Sequence, residues 1–64
     1  MNKLQKQNLI HEATQKSKCF SNDVLYILIK DNQGKYTFNI NIATTLINQG
    51  FKLYAKMQNG NLIL

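Results

Sequence analysis

The chain has 64 residues and a formal net charge of +5, from eight lysines and no arginine against three acidic residues. A domain this small buries only about 60% of its unfolded surface, so we predict a single domain, residues 1–64, with little apolar area to spare. The only cysteine, Cys19, excludes an intramolecular disulfide, and the only histidine, His11, leaves a Cys/His metal site without ligands. We therefore expect no metal and no cofactor.

The apolar runs are short. The longest, residues 24–29, holds six residues, whereas a membrane span needs roughly 18. The first residues lack the apolar core of a secretory signal. The sequence therefore predicts a cytoplasmic protein that does not contact a membrane.

Residues 3–16 predict a first helix, because they contain no Gly or Pro and are rich in Gln, Lys, Leu and Ala. Asn2 and Gln5 have the spacing of a capping box. The apolar face of this helix is thin and consists of Leu9, Ile10, Ala13 and Ser17. Leu4 falls on the opposite side, so the helix is expected either to pack by this narrow stripe or to leave Leu4 free for a partner.

Residues 24–29 are rich in β-branched and aromatic types, which predicts a central strand that is apolar on both faces. A loop over residues 31–35 is expected to connect it, as a hairpin, to a second strand over residues 36–42. The second strand alternates between apolar and polar residues, so one face is expected to be buried. That face consists of Tyr36, Phe38, Ile40 and Ile42.

A short second helix is predicted next, because Ala43, Leu46 and Ile47 have helical spacing. Asn41 is its expected N-cap, and Gly50 is expected to end it in a left-handed conformation.

The last residues predict a second hairpin, in which Asn59-Gly60 form a type I′ turn. A two-residue loop pairs Met57 with Leu62 and Ala55 with Leu64. The expected buried face consists of Phe51, Leu53, Ala55, Met57, Leu62 and Leu64. The expected outer face consists of Lys52, Tyr54, Lys56 and Ile63.

These elements predict an α+β fold, a small α-β-β-α-β-β domain with both helices packed on one face of a mostly antiparallel sheet. Two separate hairpins, each covered by a helix, are an alternative. The expected core consists of Leu9, Ile10, Ala13, Leu25, Ile27, Ile29, Phe38, Ile40, Leu46, Ile47, Phe51, Leu53, Met57 and Leu62.

No residue cluster indicates a reaction. An enzyme needs a nucleophile with a base, a carboxylate pair or metal ligands within reach of one another. His11 and Glu12 point about 100° apart on the first helix and cannot converge on one atom. Cys19 is expected to be a small buried hydrophobe rather than a reactive thiol. We predict that the protein is not an enzyme and has no catalytic residue.

The outer face of the last hairpin is the first candidate site. Lys52 and Lys56 flank Tyr54 along one strand, an arrangement that offers phosphate partners around an aromatic platform for single-stranded nucleic acid. Lys30 and Lys35, on either side of the first hairpin loop, are candidates to extend it. Without arginine, the contact is expected to be salt-sensitive and low in sequence specificity. The alternative is a solvated strand whose lysines only keep the protein soluble.

The edge of the last strand is the second candidate site. This strand has at most four residues, so it leaves backbone groups of its neighbour open to a strand of another chain. Ile63 supplies an apolar anchor there. A larger protein is the expected partner, and a homodimer through this edge is an alternative.

Residues 46–64 place a glycine after a helix and a second glycine between two alternating strands, a pattern that resembles the helix and hairpin of TubC-type docking domains. The matching positions are Leu46, Gly50, Phe51, Leu53, Gly60, Leu62 and Leu64. The resemblance implies docking to another protein. In size and in its bias towards Asn, Lys and Ile, the chain is also similar to small accessory proteins of mobile elements in low-GC Gram-positive bacteria, such as the companion protein of the staphylococcal cassette primase-polymerase.

The sequence therefore predicts a non-catalytic accessory protein of a mobile genetic element. It is expected to dock onto a larger DNA-replication or DNA-processing protein and to add a basic, low-specificity contact to nucleic acid. The alternative is a phage- or plasmid-encoded inhibitor that blocks a host enzyme by protein–protein binding. The positive net charge counts against inhibition by DNA mimicry.

Overall fold

The computed structural model describes residues 2–63. Its elements are α1 (Lys3–Cys19), β1 (Val24–Lys30), β2 (Gln33–Thr37), α2 (Ile40–Asn48), β3 (Lys52–Gln58) and β4 (Asn61–Ile63). The strands form one antiparallel sheet in the order β2-β1-β3-β4. The α+β class is confirmed, and the single sheet excludes the alternative of two separate hairpins.

Helix α1 begins at the predicted cap. The Asn2 side chain accepts a hydrogen bond from the Gln5 N–H at 2.8 Å, and the Gln5 side chain accepts one from the Asn2 N–H at 2.9 Å. This is the capping box that the sequence indicates. The buried residues of the helix are Leu9, Ala13 and Ser17. The thin apolar face is confirmed, and Leu4 is 65% exposed.

Strand β1 lies inside the sheet and carries core residues on both faces. Leu25 and Ile27 form a cluster with residues of α1, which we call the α1-side cluster. Leu28 forms a second cluster with residues of α2, the α2-side cluster. Side chains alternate along a strand, so an apolar run of this length needs cover on both sides of the sheet. The two helices therefore lie on opposite faces, and the prediction that both pack on one face is wrong.

The core is smaller than predicted. Its buried hydrophobic residues are Leu9, Ala13, Leu25, Ile27, Leu28, Ala43, Leu46, Phe51 and Met57. The predicted core residues that are only partly buried, packed against the α1-side cluster, are Ile10, Ile29 and Phe38. Ile47 of α2 is 47% exposed, so its predicted place in the core is wrong.

The first hairpin turns earlier than predicted. Asp31 has a φ of 51°, and Gln33 already pairs with Lys30, so the connection occupies residues 31–32 only. Aspartate tolerates the left-handed region better than most residues, which permits this tight turn without a glycine inside it. The predicted five-residue loop over residues 31–35 is wrong, and Gly34 lies within β2.

Helix α2 also begins earlier than predicted. The Asn39 side chain accepts hydrogen bonds from the N–H groups of Asn41 and Ile42, at 2.8 and 3.3 Å. The cap is therefore Asn39 rather than Asn41, and the predicted strand over residues 36–42 is wrong from Phe38 onwards, because β2 ends at Thr37. Ile40 and Ile42 are 54% and 51% exposed, so their predicted burial is wrong as well. Helix α2 ends as predicted, with Gly50 at a φ of 102°.

The turn of the last hairpin is confirmed. Asn59 and Gly60 have φ values of 51° and 77°, and Met57 pairs with Leu62. The predicted pairing of Ala55 with Leu64 lies outside the described residues. The turn is joined to the end of α1, because the fully buried Ser17 hydroxyl accepts a hydrogen bond from the Gly60 N–H at 3.0 Å.

Strand β3 contains an irregularity that the sequence pattern does not predict. Ile27 pairs with Ala55 and the next residue, Leu28, pairs with Leu53, so Tyr54 is an extra residue on β3. Such a β-bulge shifts the alternation of side chains between the two sides of the sheet.

The bulge divides the predicted buried face of this strand. Met57 belongs to the α1-side cluster, whereas Phe51 belongs to the α2-side cluster. Leu53 and Leu62 are 42% and 64% exposed. One continuous buried face on this hairpin was therefore a wrong prediction, as was the assignment of Leu53 and Leu62 to the core.

Candidate nucleic-acid and partner-binding surface

The lysines of the predicted basic strand face lie on different sides of the sheet. Lys52 pairs with Ile29, which packs on the α1-side cluster, whereas Lys56 pairs with Tyr26, which packs on the α2-side cluster. Paired residues of antiparallel strands point to the same face. The bulge at Tyr54 therefore separates the two lysines, and the expected row on one face is not formed.

A cleft of about 490 Å³ lies where β1 ends and β3 begins. We call it the lysine cleft, because Lys6, Lys30 and Lys52 line it together with Tyr54. These residues come from α1, β1 and β3. Lys52, Tyr54 and Lys30 were predicted site residues, and the fold brings them together.

Sequence reasoning missed Lys6. It lies on the first turns of α1, and its ammonium Nζ is 5.9 Å from the centroid of the Tyr54 ring. A cation over an aromatic ring at an exposed site is worth about 0.5–1 kcal/mol. No local pattern indicates this contact, since it depends on how α1 packs on the sheet. Tyr54 is 51% exposed, so part of the ring stays open to a ligand.

Lys30 and Lys35 both approach Phe51. Their Nζ atoms are 5.9 and 5.6 Å from the centroid of its ring. Lys30 also donates a hydrogen bond to the Gln49 carbonyl at 2.7 Å, at the C-terminal cap of α2. A positive charge at a helix C-terminus stabilises the helix. Lys30 therefore supports the fold in addition to lining the cleft, and Lys35 lies outside the cleft lining.

Strand β4 covers only part of β3. It pairs with residues 56–58, so within residues 2–63 the outer edge of β3 from residue 52 to residue 55 has no strand beside it. A groove of about 550 Å³ follows this open edge, and its apolar lining comes from Ile10, Leu53, Ala55, Leu62 and Ile63. Ile63 is 37% exposed. The second predicted site thus combines open backbone groups with an apolar groove.

The residues with reactive side chains are dispersed. Across residues 2–63, no group of three or more His, Cys, Asp and Glu side chains is placed to hold a metal ion. Cys19 is exposed, so its expected burial is wrong, because Ser17 takes the inward position at this end of α1. His11 is exposed on the same helix. Neither α1 nor α2 is long and apolar enough to cross a membrane.

Comparison with known proteins found no protein-family model, no curated protein and no solved structure that matches the chain. The resemblances drawn from the residue pattern therefore stay predictions. The function has to be argued from the lysine cleft and the open edge themselves.

Proposed function

We propose that this protein is a non-catalytic accessory protein of a mobile genetic element, acting in the cytoplasm. In this role it contacts single-stranded nucleic acid through the lysine cleft and docks onto a larger DNA-replication or DNA-processing protein through the open edge of β3. The single observation that carries the proposal is that the side chains of Lys6, Lys30 and Lys52 line one cleft together with the half-exposed Tyr54.

The charge of the cleft supports the nucleic-acid contact. Among residues 2–63, its charged lining residues are three lysines and one aspartate, Asp31. Ammonium groups bind phosphates as point charges, and an aromatic face stacks with any base, so such a surface binds single strands with little sequence preference. The net charge of +5 adds long-range attraction for a polyanion.

The open edge supports the docking step. Within residues 2–63, the outer edge of β3 at residues 52–55 has no strand beside it, so its outward backbone groups can hydrogen-bond to an added strand, and the groove beside them can take its apolar side chains. Among residues 2–63, the residues that line this groove include Lys56 and no Asp or Glu. An extended segment with apolar and acidic side chains is therefore the partner that fits best. An inhibitor of a host enzyme needs only this edge, so the two roles differ in whether the cleft binds nucleic acid.

The first experiment measures binding of a labelled single-stranded oligonucleotide of about 15 bases by fluorescence anisotropy, at salt concentrations of about 50 and 200 mM. We expect binding that weakens with salt. Lys52→Ala should lower the affinity and reduce the logarithmic salt slope by about 0.7, the value for one phosphate contact on a single strand. Lys16→Ala is the matched control, because Lys16 is exposed on α1 outside the cleft.

Equal effects of Lys52→Ala and Lys16→Ala would show that net charge, not the cleft, attracts the strand. Absence of binding at the lower salt concentration would refute the nucleic-acid contact and leave the inhibitor role.

The second experiment tests docking by affinity capture from the native host, with the captured proteins identified by mass spectrometry. Leu62→Lys places a charge in the apolar groove at a side chain that is already 64% exposed. Ile47→Lys is the control, since Ile47 is 47% exposed on α2, which packs on the opposite face from α1. We expect Leu62→Lys alone to lose a DNA-processing protein. Capture of the same proteins by both variants would refute docking at this edge.

A further inference from the structure

The lysine cleft is lined by different parts of the chain. Helix α1 contributes Lys6, the end of β1 contributes Lys30, the following turn contributes Asp31, and the connection after α2 contributes Gly50. The volume of about 490 Å³ falls within the roughly 300–1,000 Å³ of small-ligand sites. A cleft of this volume can take one nucleotide.

The charge of the lining matches a particular form of phosphate. Three lysines and one aspartate give the lining a formal charge of +2. A phosphodiester within a strand carries one negative charge, whereas a phosphomonoester carries about 1.5–2 negative charges at pH 7. The cleft therefore complements a terminal phosphate more closely than an internal one.

Two of the three lysine ammonium groups have a contact within the chain. Lys30 donates to the Gln49 carbonyl at 2.7 Å, and Lys6 lies over the Tyr54 ring at 5.9 Å from its centroid. A lysine ammonium has three donors, so the bond to Gln49 leaves others for a ligand. Groups that are positioned before binding lose less conformational entropy when the ligand arrives.

We propose that the lysine cleft binds a phosphomonoester attached to a nucleoside, with the ammonium groups on the phosphate and the base against Tyr54. This inference rests on the proposed function, because it takes the lysine cleft as the nucleic-acid contact. The same chemistry occurs at the phosphorylated end of a strand and in a free nucleotide, and the experiment separates these sources.

The test is a titration of the full chain, followed by NMR chemical shifts. The probes are a tetrathymidylate with a 5′-phosphate, the same oligonucleotide with a 5′-hydroxyl, thymidine 5′-monophosphate and inorganic phosphate. We expect about tenfold tighter binding of the phosphorylated end than of the hydroxyl end, the effect of one charge-assisted hydrogen bond. The largest shifts should fall on Gly50, Lys52 and Tyr54.

Thymidine 5′-monophosphate that binds as tightly as the phosphorylated oligonucleotide supports a free nucleotide as the source, and weaker binding supports a strand end. Equal binding of phosphorylated and hydroxyl ends overturns the proposal, even where salt-dependent strand binding and hence the proposed function remain. Inorganic phosphate that binds as well as the nucleotide overturns the role of the nucleoside.

Two variants assign the contacts, and Lys16→Gln serves as the control outside the cleft. Lys52→Gln should remove most of the tenfold preference for the phosphorylated end. Tyr54→Leu should weaken nucleotide binding several-fold while inorganic phosphate binds as before, since ring stacking acts on the base. Circular dichroism checks that each variant is folded. A full preference retained in a folded Lys52→Gln protein overturns the assignment.

Discussion

The substitution Ser17→Ala tests how α1 is held against the last hairpin. The Ser17 hydroxyl is 0% exposed and accepts from the Gly60 N–H at 3.0 Å, across 43 positions of the chain. An unsatisfied N–H costs roughly 1–3 kcal/mol, whereas alanine improves helix propensity by about 0.5 kcal/mol. Because Gly60 is only half-buried, water can replace part of the lost bond. The expected loss in the free energy of unfolding is therefore about 1 kcal/mol.

Urea denaturation followed by circular dichroism measures this loss, which corresponds to a Tm lower by roughly 4–8 °C in a domain of this size. Ser21→Ala is the matched control, because Ser21 is exposed between α1 and β1, and its effect should stay within about 0.5 kcal/mol. Hydrogen exchange at the Gly60 amide should also become faster. Unfolding free energies that are equal for Ser17→Ala and the unchanged protein would refute the role given to this bond.

Three further substitutions test the packing and the helix ends, each by urea denaturation. Leu28→Ala removes a fully buried side chain from the α2-side cluster and should lower the free energy of unfolding by about 2–5 kcal/mol. Leu62→Ala, at a side chain that is 64% exposed, should lower it by less than about 1 kcal/mol. Similar values for the two variants would contradict the division of the core. Asn39→Ala should cost about 1 kcal/mol, because two N–H groups of α2 lose their acceptor, and no change would argue against this cap. Gly50→Ala should lower the free energy of unfolding by roughly 1–2 kcal/mol, since φ is 102° and the added Cβ would lie 3.3 Å from Lys30 Cε. An unchanged urea midpoint would show that the connection between α2 and β3 relaxes freely.

The features that were predictable depend on neighbours in the chain. The capping box of Asn2 and Gln5 and the turn at Asn59 and Gly60 need only a few adjacent residues to form. The same holds for the left-handed Gly50 after α2. Such signals survive folding because their geometry is complete within one turn of the backbone.

The boundary between β2 and α2 was not predictable in this way. Residues 36–42 alternate between apolar and polar types, and the same isoleucines also suit a helix that begins at residue 40. The Asn39 side chain decides between the two, because it accepts from two N–H groups of the helix. Exposure of Ile40 and Ile42 is the consequence.

The candidate site could be predicted in part. Lys52, Tyr54 and Lys30 are visible in the sequence as basic and aromatic residues near strand ends, and they line one cleft. Lys6 was not predictable, because only the packing of α1 brings it to Tyr54. The prediction that Lys56 shares a face with Lys52 was wrong, since alternation cannot reveal an extra residue in a strand.

The sequence by itself determined the order of the elements, the N-cap of α1, the glycine that ends α2, the last turn and a central strand that is apolar on both faces. Only the tertiary structure decided which helix covers which face, where the bulge lies and therefore which lysines meet. The physical reason is that local hydrogen bonds select helices, caps and turns one segment at a time. The distribution of charge over the surface depends instead on strand register, and one extra residue at Tyr54 changes it.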